Sequence, residues 1–476
     1  MVPIVIPSKV LLYRTYIVFT PEKDLFEKCS SADDHSLKLT NERLNVFQTL
    51  LKYETVSIDI RNQNYEAIKQ CRTFIKQRYS NILQNKWIEV HDIATYSILY
   101  TIKGSEPDLK PYLLSAHYDV VPATNGSWKH EPFGAVVDGE YIYARGTLDD
   151  KTTVFAVMEA LQIHMDGSTG IADYLSKVKF GNGDFEYILD EGSVMLEDGF
   201  PTVQYPVAII AIGEKGYLTV EYRVEIMGGH SSMPSAPTSI GILSNAMVKL
   251  EANLHPSQFG RGPELDLLQS IAPYTAFPVR LVLSNLWIFG SLMEKFLSMK
   301  PATDALQRST TAVTMISGGV KDNVLPPSAQ STVNHRIHSG DTCETILVQN
   351  KHIIHDDRVK DRTKFCVEPS PISPYGNHIW PYMILKHTIR QTFNGTIAVV
   401  PGLTLGGTDS KSYTNLSKHL YRFSPTYLKL SDFSRFHGIN ERITISNVER
   451  SMNFFYHLMV NSNVGTLTKS VAKHEL

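Results

Sequence analysis

Segments with helical and with strand periodicity alternate along the first half of the chain, and this alternation constrains the fold more than any other feature. Helical spacing of apolar residues predicts helices at Asn41–Lys52, Tyr65–Leu83 and Thr152–His164. Apolar runs of strand length stand between and after them, at Trp87–Val90, Tyr96–Ile102, Tyr112–His117 and Val207–Ile212. The alternation predicts an α/β domain with a mostly parallel sheet and helices on both faces.

The pattern changes after Gly213. Tyr217–Ile226 alternates apolar with mostly polar residues, which is typical of a half-solvated antiparallel strand. Predicted helices and strands of α+β character follow, at Ser239–Leu254, Thr310–Ile316, Gln330–Ile337 and Asp341–Ile354. We therefore expect an inserted α+β lid or dimerisation domain over residues 213–372.

The α/β pattern resumes beyond residue 373, with predicted helices at Pro381–Thr392 and Ser446–Asn461. The α/β catalytic domain is thus expected in two parts, residues 1–212 and 373–476. No fold is predicted for residues 1–40, which are either an unstructured or a targeting segment.

Charge and cysteine content exclude several classes. With 46 Lys+Arg against 48 Asp+Glu the net charge is −2, so bulk charge argues against a nucleic-acid binder. Four cysteines are too few for a disulfide scaffold, and they lack zinc-ribbon spacing, so any metal must be held by His and carboxylates. The apolar stretch Phe277–Leu297 contains Arg280 and Glu294, which favours a buried or pocket-lining helix over a membrane span.

Localisation stays open between two alternatives. The first 20 residues are apolar, but Pro3, Pro7, Lys9 and Arg14 interrupt a signal-type core. The C-terminus reads KHEL, one substitution from an ER-retention signal. A working N-terminal signal would place the chain in the ER or outside the cell, and its absence would leave it in the cytoplasm.

Four clusters could carry chemistry. His117 and Asp119 end a predicted strand and point to the same side, so Asp119 could hold the second ring nitrogen of a metal-binding histidine. The other clusters are Asp149-Asp150 before a helix, Asp190-Glu191 at the end of an apolar strand, and His437 in a loop. Taken singly, each has an ordinary structural reading, such as a helix cap for one Asp.

Together and in this order, the clusters and their surroundings resemble the M20 metallopeptidase family. The resemblance covers roughly Asn41 to Asn461, and is strongest to the branch with carboxypeptidase S and the N-fatty-acyl-amino-acid synthase/hydrolase. The matching stretches are AHYDVVPA, FGAVVDGEYIYARGTLDDK, LDEG, EKGYLTVEYRV, GGHSSMP, GGTDSKSY and FHGINE.

The resemblance implies a two-zinc hydrolase of amide bonds next to a free carboxylate, acting on small N-acyl amino acids or peptides. By position, the metal residues are His117, Asp149, Asp190 and His437. His117 and Asp190 would hold one zinc, His437 the other, and Asp149 would bridge them. Asp119 would orient His117, and the Asp149–Asp150 peptide would be cis.

The resemblance also assigns roles within the inserted domain. His230, in GGHSSMP, matches a histidine that reaches the neighbouring active site across a homodimer. Arg336 and Asn323 are candidates for binding the substrate carboxylate, since Arg offers a bidentate fork. Surface roles for Arg336 and Asn323 remain the alternative. Phe277–Leu297 is expected to line a channel for long acyl chains.

The chain departs from the family between Asp149 and Asp190. The family has a strand there that ends in a Glu-Glu pair, which supplies the general base and a ligand of the second zinc. Here the segment reads helix, helix, strand, without a Glu-Glu pair. We therefore expect one zinc rather than two, and weak hydrolysis. A skipped exon or faulty gene model, or a catalytically impaired relative that binds acyl amino acids, would explain the departure.

Overall fold

The computed structural model describes residues 8–20, 37–59, 61–104, 109–123, 126–167, 185–200, 202–234, 237–393 and 397–462. The chain divides into two compact units. Unit 1 comprises Ala211–Ser373 together with Met1–Pro21 and Val400–Thr414. Unit 2 comprises Glu22–Ile210, Pro374–Val399 and Asn415–Leu476.

The α-helices follow the predicted helical segments closely. Asn41–Lys52 forms over its predicted length, capped by the Thr40 side chain, which accepts a hydrogen bond from the Arg43 backbone N–H. The helices are α1 Ser8–Tyr13, α2 Asn41–Lys52, α3 Tyr65–Arg78, α4 Ser80–Leu83, α5 Lys151–Gly167, α6 Ser239–Ala252, α7 Pro263–Ile271, α8 Val279–Leu283, α9 Leu286–Leu297, α10 Pro301–Gln307, α11 Cys343–Ile354, α12 Trp380–Thr392 and α13 Ile445–Ser462. A π-helical turn, Arg14–Val18, continues α1.

The strands also lie close to the predicted runs. They are β1 Ser57–Asp59, β2 Asn62–Gln63, β3 Ile88–Ile93, β4 Ser97–Ile102, β5 Leu113–Leu114, β6 Val136–Asp138, β7 Tyr141–Tyr143, β8 Ile188–Leu196, β9 Val207–Glu214, β10 Gly216–Glu225, β11 Gly229–His230, β12 Thr310–Gly318, β13 Val324–Leu325, β14 Ser328–Ile337, β15 Val359–Val367, β16 Ala398–Thr404, β17 Leu420–Leu428 and β18 Arg442–Thr444.

A five-stranded sheet in the order β16-β9-β17-β8-β5 carries the α/β architecture. Strands β5 and β17 run parallel to β8, whereas β9 pairs with β8 in the antiparallel sense through Met195↔Ala208. The sheet is therefore mixed, with parallel pairing of β5 and β17 to β8 and an antiparallel pair between β8 and β9. The short connection 197–206 explains the reversal, because a parallel return needs a longer crossover.

The edge strand of this sheet, β5, leads directly to His117. Strand β5 pairs over only two residues, against a predicted run of Tyr112–His117. His117 therefore follows the strand in irregular backbone at the carboxyl end of β5. Hairpin β3–β4 forms a separate two-stranded sheet in the part of the chain that the structure describes.

Unit 1 is built on a four-stranded sheet in the order β12-β14-β10-β15, with antiparallel pairing throughout. The predicted alternation of β10 is confirmed. Leu218, Val220, Tyr222 and Val224 are buried in a core shared with α6 and α11, while the residues between them are partly or fully exposed. This face of the sheet and the two helices form the hydrophobic core of unit 1.

A disulfide between Cys343 and Cys366 joins the start of α11 to β15. The cysteine count did not predict it, because spacing alone does not show which residues meet. The apolar stretch Phe277–Leu297 is divided into α8 and α9, and none of the described helices is long and apolar enough to cross a membrane.

Candidate metal centre

Three side chains of unit 2 converge beside the carboxyl end of strand β5. They are His117 after β5, Asp149 before α5 and Glu191 within β8. One nitrogen or oxygen atom from each lies within 4.8 Å of the other two. Open α/β sheets commonly place ligand sites at this edge.

His117 Nε2 faces both carboxylates. It lies 3.0 Å from Asp149 Oδ1 and 3.2 Å from Glu191 Oε1. Asp149 Oδ1 is buried and makes no hydrogen bond of acceptable geometry. We conclude that the Asp149–His117 contact is electrostatic rather than a hydrogen bond.

The other ring nitrogen of His117 is held by Asp119. Nδ1 lies 3.0 Å from the Asp119 backbone oxygen and 3.4 Å from its Oδ1. With the Nδ1 proton held by Asp119, loss of the Nε2 proton to a metal gives the lone-pair nitrogen that a histidine ligand needs.

A bulge turns Glu191 towards the site. Along the β8–β17 ladder Asp190 pairs with Arg422, and the next pair is Ser193 with Phe423. Two extra residues, Glu191 and Gly192, are therefore accommodated in β8. Gly192 has φ +150° and donates its N–H to Ser424 Oγ.

Asp190, which the resemblance assigns to the metal, does not belong to the convergent group. Its side chain is 2% exposed in the body of β8. The sequence motif LDEG includes Glu191, but the resemblance assigns it no role. Gly192, next to Glu191, was the signal available in the sequence, because a glycine within a strand often marks a bulge.

His437 contacts the second oxygen of Asp149, with Nε2 2.7 Å from Oδ2. Its side chain is 60% exposed, and its backbone has φ +57°. Asp149 therefore lies between His117 and His437. The Asp149–Asp150 peptide is cis, as expected.

Glu441, fully buried, ties the two loops of the site together. Its Oε1 accepts hydrogen bonds from the backbone N–H groups of Gly146 and Leu148, at 3.0 and 2.7 Å. Its Oε2 pairs with Arg145 Nη1 at 2.5 Å, and Arg145 Nη2 donates to the Gly438 carbonyl. The loop before Asp149 is thereby fixed to the loop of His437.

The charges of the centre shift its titrations. Burial opposes protonation of His117, but its close contacts with the carboxylates of Asp119, Asp149 and Glu191 outweigh this and raise the pKa of His117 well above its usual value. Burial raises the pKa of Glu191 to about 7, helped by the negative charge of Asp149. Burial also raises the pKa of Asp150 well above its usual value. For Asp149, the close contact with His117 and the hydrogen bond to His437 overcome burial and lower the pKa.

The donor set fits a divalent ion such as zinc. One imidazole and two carboxylates are common zinc ligands. Ligand atoms of a tetrahedral zinc, each about 2.1 Å from the metal, stand about 3.4 Å apart. The distances from His117 Nε2 to Asp149 and Glu191 are close to this spacing.

Glu159, an acid in the middle of α5, is held by other side chains. It accepts hydrogen bonds from Arg43, Arg78 and Tyr79 and is 2% exposed. The segment 168–184, where much of the departure from the family lies, is outside the described residues.

The predicted substrate residues lie in unit 1. His230 and Asn323 are neighbours on exposed backbone, since β11 pairs with β13 and the Ser231 N–H donates to the Asn323 carbonyl at 3.2 Å. His230 Nδ1 lies 2.7 Å from Ser232 Oγ.

Arg336, on β14, lies over the ring of Tyr217 on β10, with its guanidinium carbon 4.6 Å from the ring centre. It borders a cavity of about 440 Å³ whose charged residues are Arg336, Lys364, Lys411 and Glu214, together with Lys215, whose pKa burial lowers to about 7. Glu214 Oε2 is engaged by the Thr408 N–H and hydroxyl, both at 2.9 Å. The cavity therefore suits an anionic group.

Comparison with known families gives one match over most of the chain. Residues 113–461 match the model of peptidase family M20/M25/M40. The chain is 37% identical over 432 residues to the human N-fatty-acyl-amino acid synthase/hydrolase PM20D1, covering 87% of this chain and 86% of the relative. It is also 37% identical to the probable carboxypeptidase S-like 2 of Dictyostelium discoideum, covering 92% and 87%.

Solved structures agree at the level of fold. The M20 family metallo-carboxypeptidase Sso-CP2 from Sulfolobus solfataricus superposes with a TM-score of 0.63 at 16% identity, covering 89% of this chain and all of that one. Human carnosine dipeptidase 1 gives a TM-score of 0.57 at 14% identity, covering 89% and 96%. At such identities the likeness shows the fold alone.

Proposed function

Because this chain belongs to peptidase family M20/M25/M40, we propose that it is a zinc-dependent hydrolase of the amide bond in N-acyl amino acids, also able to run the reaction in reverse. The name of the human relative supports this substrate class. The Dictyostelium relative, named a probable carboxypeptidase, supports C-terminal peptide bonds as the other substrate. The observation that carries the proposal is the convergence of His117, Asp149 and Glu191.

One zinc ion would be held by His117, Asp149 and Glu191. A divalent ion there supplies Lewis-acid polarisation of the scissile carbonyl. Asp119 fixes the His117 ring, and Glu441 fixes the backbone that precedes Asp149. A second position would have only Asp149 and His437, and two protein ligands rarely hold zinc against water.

The proposal assigns the third ligand to Glu191, although the resemblance favours Asp190. Asp190 lies within the paired part of β8, whereas the bulge releases Glu191 towards His117. If Glu191 is committed to the metal it cannot also act as general base, Asp119 is held by His117, and burial raises the pKa of Asp150. General-base catalysis is typically worth about 10²–10⁴-fold, so turnover should be weak.

Arg336 would bind the free carboxylate of the substrate within the cationic cavity of unit 1. The guanidinium stacked on Tyr217 is held in place, and a bidentate pair with a carboxylate suits its planar shape. His230 would complete a site across a homodimer formed by unit 1. Acyl chains should add about 0.8 kcal/mol of binding for each buried CH₂.

Elemental analysis after dialysis tests the metal assignment. We expect about one zinc per chain, loss of zinc in His117→Ala and weakened zinc binding in Glu191→Gln. Asp190→Asn should bind zinc as the wild type does, and the exposed His352→Ala is the control. If Glu191 were instead the general base, Glu191→Gln would retain zinc and lose turnover. Two tight zinc ions with turnover above roughly one per second would contradict the proposal.

A second candidate function is binding of acyl amino acids without hydrolysis, favoured by the missing Glu-Glu pair. Zinc binding and N-oleoyl-phenylalanine binding without product formation would identify it. Insertion of a Glu-Glu-bearing segment between α5 and β8 should then restore hydrolysis. Failure to unfold cooperatively would instead indicate a chain too damaged to fold.

A further inference from the structure

The N-terminal helix, which is α1 with its π-helical turn, packs against the rest of unit 1 through polar groups. Thr15 is fully buried, and its hydroxyl accepts a hydrogen bond from Asn285 Nδ2 at 3.2 Å. Arg280 donates to the carbonyls of Thr15 and Phe19, at 3.0 and 2.7 Å. These contacts attach residues 8–20 to the region of α8.

The outward side of this helix is apolar. Six of its larger apolar residues are 41% to 59% exposed, and these are Val10, Leu12, Tyr13, Tyr16, Ile17 and Val18. An amphipathic helix on a globular protein normally does the reverse, burying its apolar side. Its apolar face therefore has no cover within the described residues.

Helix α9 begins beside the N-terminal helix and also exposes apolar side chains. It follows directly on Asn285, which contacts Thr15, and Trp287 Nε1 donates to Asn285 Oδ1. Trp287, Leu292 and Phe296 are 55–60% exposed. We call Leu12, Tyr13, Ile17, Trp287, Leu292 and Phe296 the apolar patch.

Basic residues accompany the apolar patch. Within residues 8–20 and 277–300 there are five cations and a single acid, Glu294. The cations are Lys9, Arg14, Arg280, Lys295 and Lys300. A second copy of the chain docked here would bring like charges together, which disfavours self-association as the cover.

We propose that the apolar patch docks the protein onto an anionic phospholipid surface. Tyrosine and tryptophan prefer the headgroup level of a bilayer, and interfacial helices combine such an apolar face with basic residues. Lipid docking does not depend on the proposed function. A consequence that does depend on it is access to fatty-acyl substrates, which partition into lipid.

Vesicle co-sedimentation of the full chain tests the docking, with no substrate added. We expect binding to phosphatidylcholine vesicles containing phosphatidylserine, and weaker binding without phosphatidylserine. The triple variant Ile17→Ser, Trp287→Ser, Phe296→Ser should bind about tenfold more weakly or worse. Lys295→Gln and Lys300→Gln should each weaken binding to the anionic vesicles about fivefold.

A matched triple variant provides the control. Ile58→Ser, Val348→Ser and Leu430→Ser remove side chains of similar exposure elsewhere and should leave vesicle binding unchanged. Absence of vesicle binding, or equal binding by both triple variants, would overturn the proposal. A change in the sedimentation of the protein without vesicles, seen only in the patch variant, would also overturn the proposal. It would identify a second copy of the chain as the occupant of the apolar patch.

Discussion

His437 Nε2 lies 2.7 Å from Asp149 Oδ2. The other oxygen of this carboxylate faces His117 at 3.0 Å, so Asp149 draws together two loops that are distant in the chain. Neither loop holds this position by itself. Glu441 accepts hydrogen bonds from the Asp149 loop and pairs with Arg145, which in turn donates to the His437 loop.

The buried Glu441–Arg145 pair should therefore govern both stability and metal binding. We expect Glu441→Gln to lower the free energy of unfolding by about 3 kcal/mol or more, because the Arg145 charge loses its buried partner. Zinc affinity should fall with it. Urea titration and zinc titration measure the two effects. Glu89→Gln, which breaks the exposed ion pair with Lys103, should change neither the free energy of unfolding nor the zinc affinity. Equal effects in both variants would contradict the role given to Glu441.

Arg336 should discriminate substrates by their free carboxylate. Arg336→Met should weaken binding of N-oleoyl-phenylalanine by roughly 10- to 100-fold, the worth of a charged hydrogen-bonded pair. The corresponding carboxamide should bind wild type and variant alike. Calorimetry on both ligands checks this, with the exposed Arg223→Met on β10 as control. Equal losses for acid and amide would assign Arg336 a structural role.

His230 should act only in a dimer. We expect a homodimer in sedimentation at micromolar concentration, and weaker ligand binding in His230→Ala without loss of the dimer. His230 is exposed and its local contact is to Ser232, so the folded monomer should tolerate the substitution. A monomeric wild type, or unaltered affinity in His230→Ala, would refute this prediction.

Acid should destabilise unit 1 through His335. Burial, together with His255, lowers the pKa of His335 to about 3. Its Nε2 lies 3.0 Å from the Asn350 amide nitrogen, so the neutral ring accepts there and a proton would face a donor. In the unfolded state His335 binds a proton below about pH 6.5, whereas in the folded state it does so only near pH 3. Stability is therefore lost as the pH falls from 6.5 to 3, by up to about 5 kcal/mol.

Urea titrations at pH 8 and pH 5 measure this loss. His335→Gln removes the titrating group, so its stability should fall less between the two pH values than that of the wild type. The exposed His352→Gln on α11 should follow the wild type. An identical pH dependence in all three proteins would show that other groups cause the acid sensitivity.

The secondary structure was largely determined by the sequence alone. Helix α2 occupies its predicted range, and β10 forms as a half-solvated antiparallel strand from the alternation seen in Tyr217–Ile226. Both signals are local, because the spacing of apolar residues sets which face of an element is buried. Motifs likewise singled out His117, Asp149 and His437, which the structure brings together.

Only the tertiary structure decided which acid faces His117. Asp190 and Glu191 are adjacent in the sequence, and the bulge in β8 opposite β17 turns Glu191 towards the centre. The same holds for the Cys343–Cys366 disulfide and for the N-terminal helix that buries Thr15 and exposes Ile17. Each depends on register and contact between distant segments, which the periodicity of a single segment does not encode.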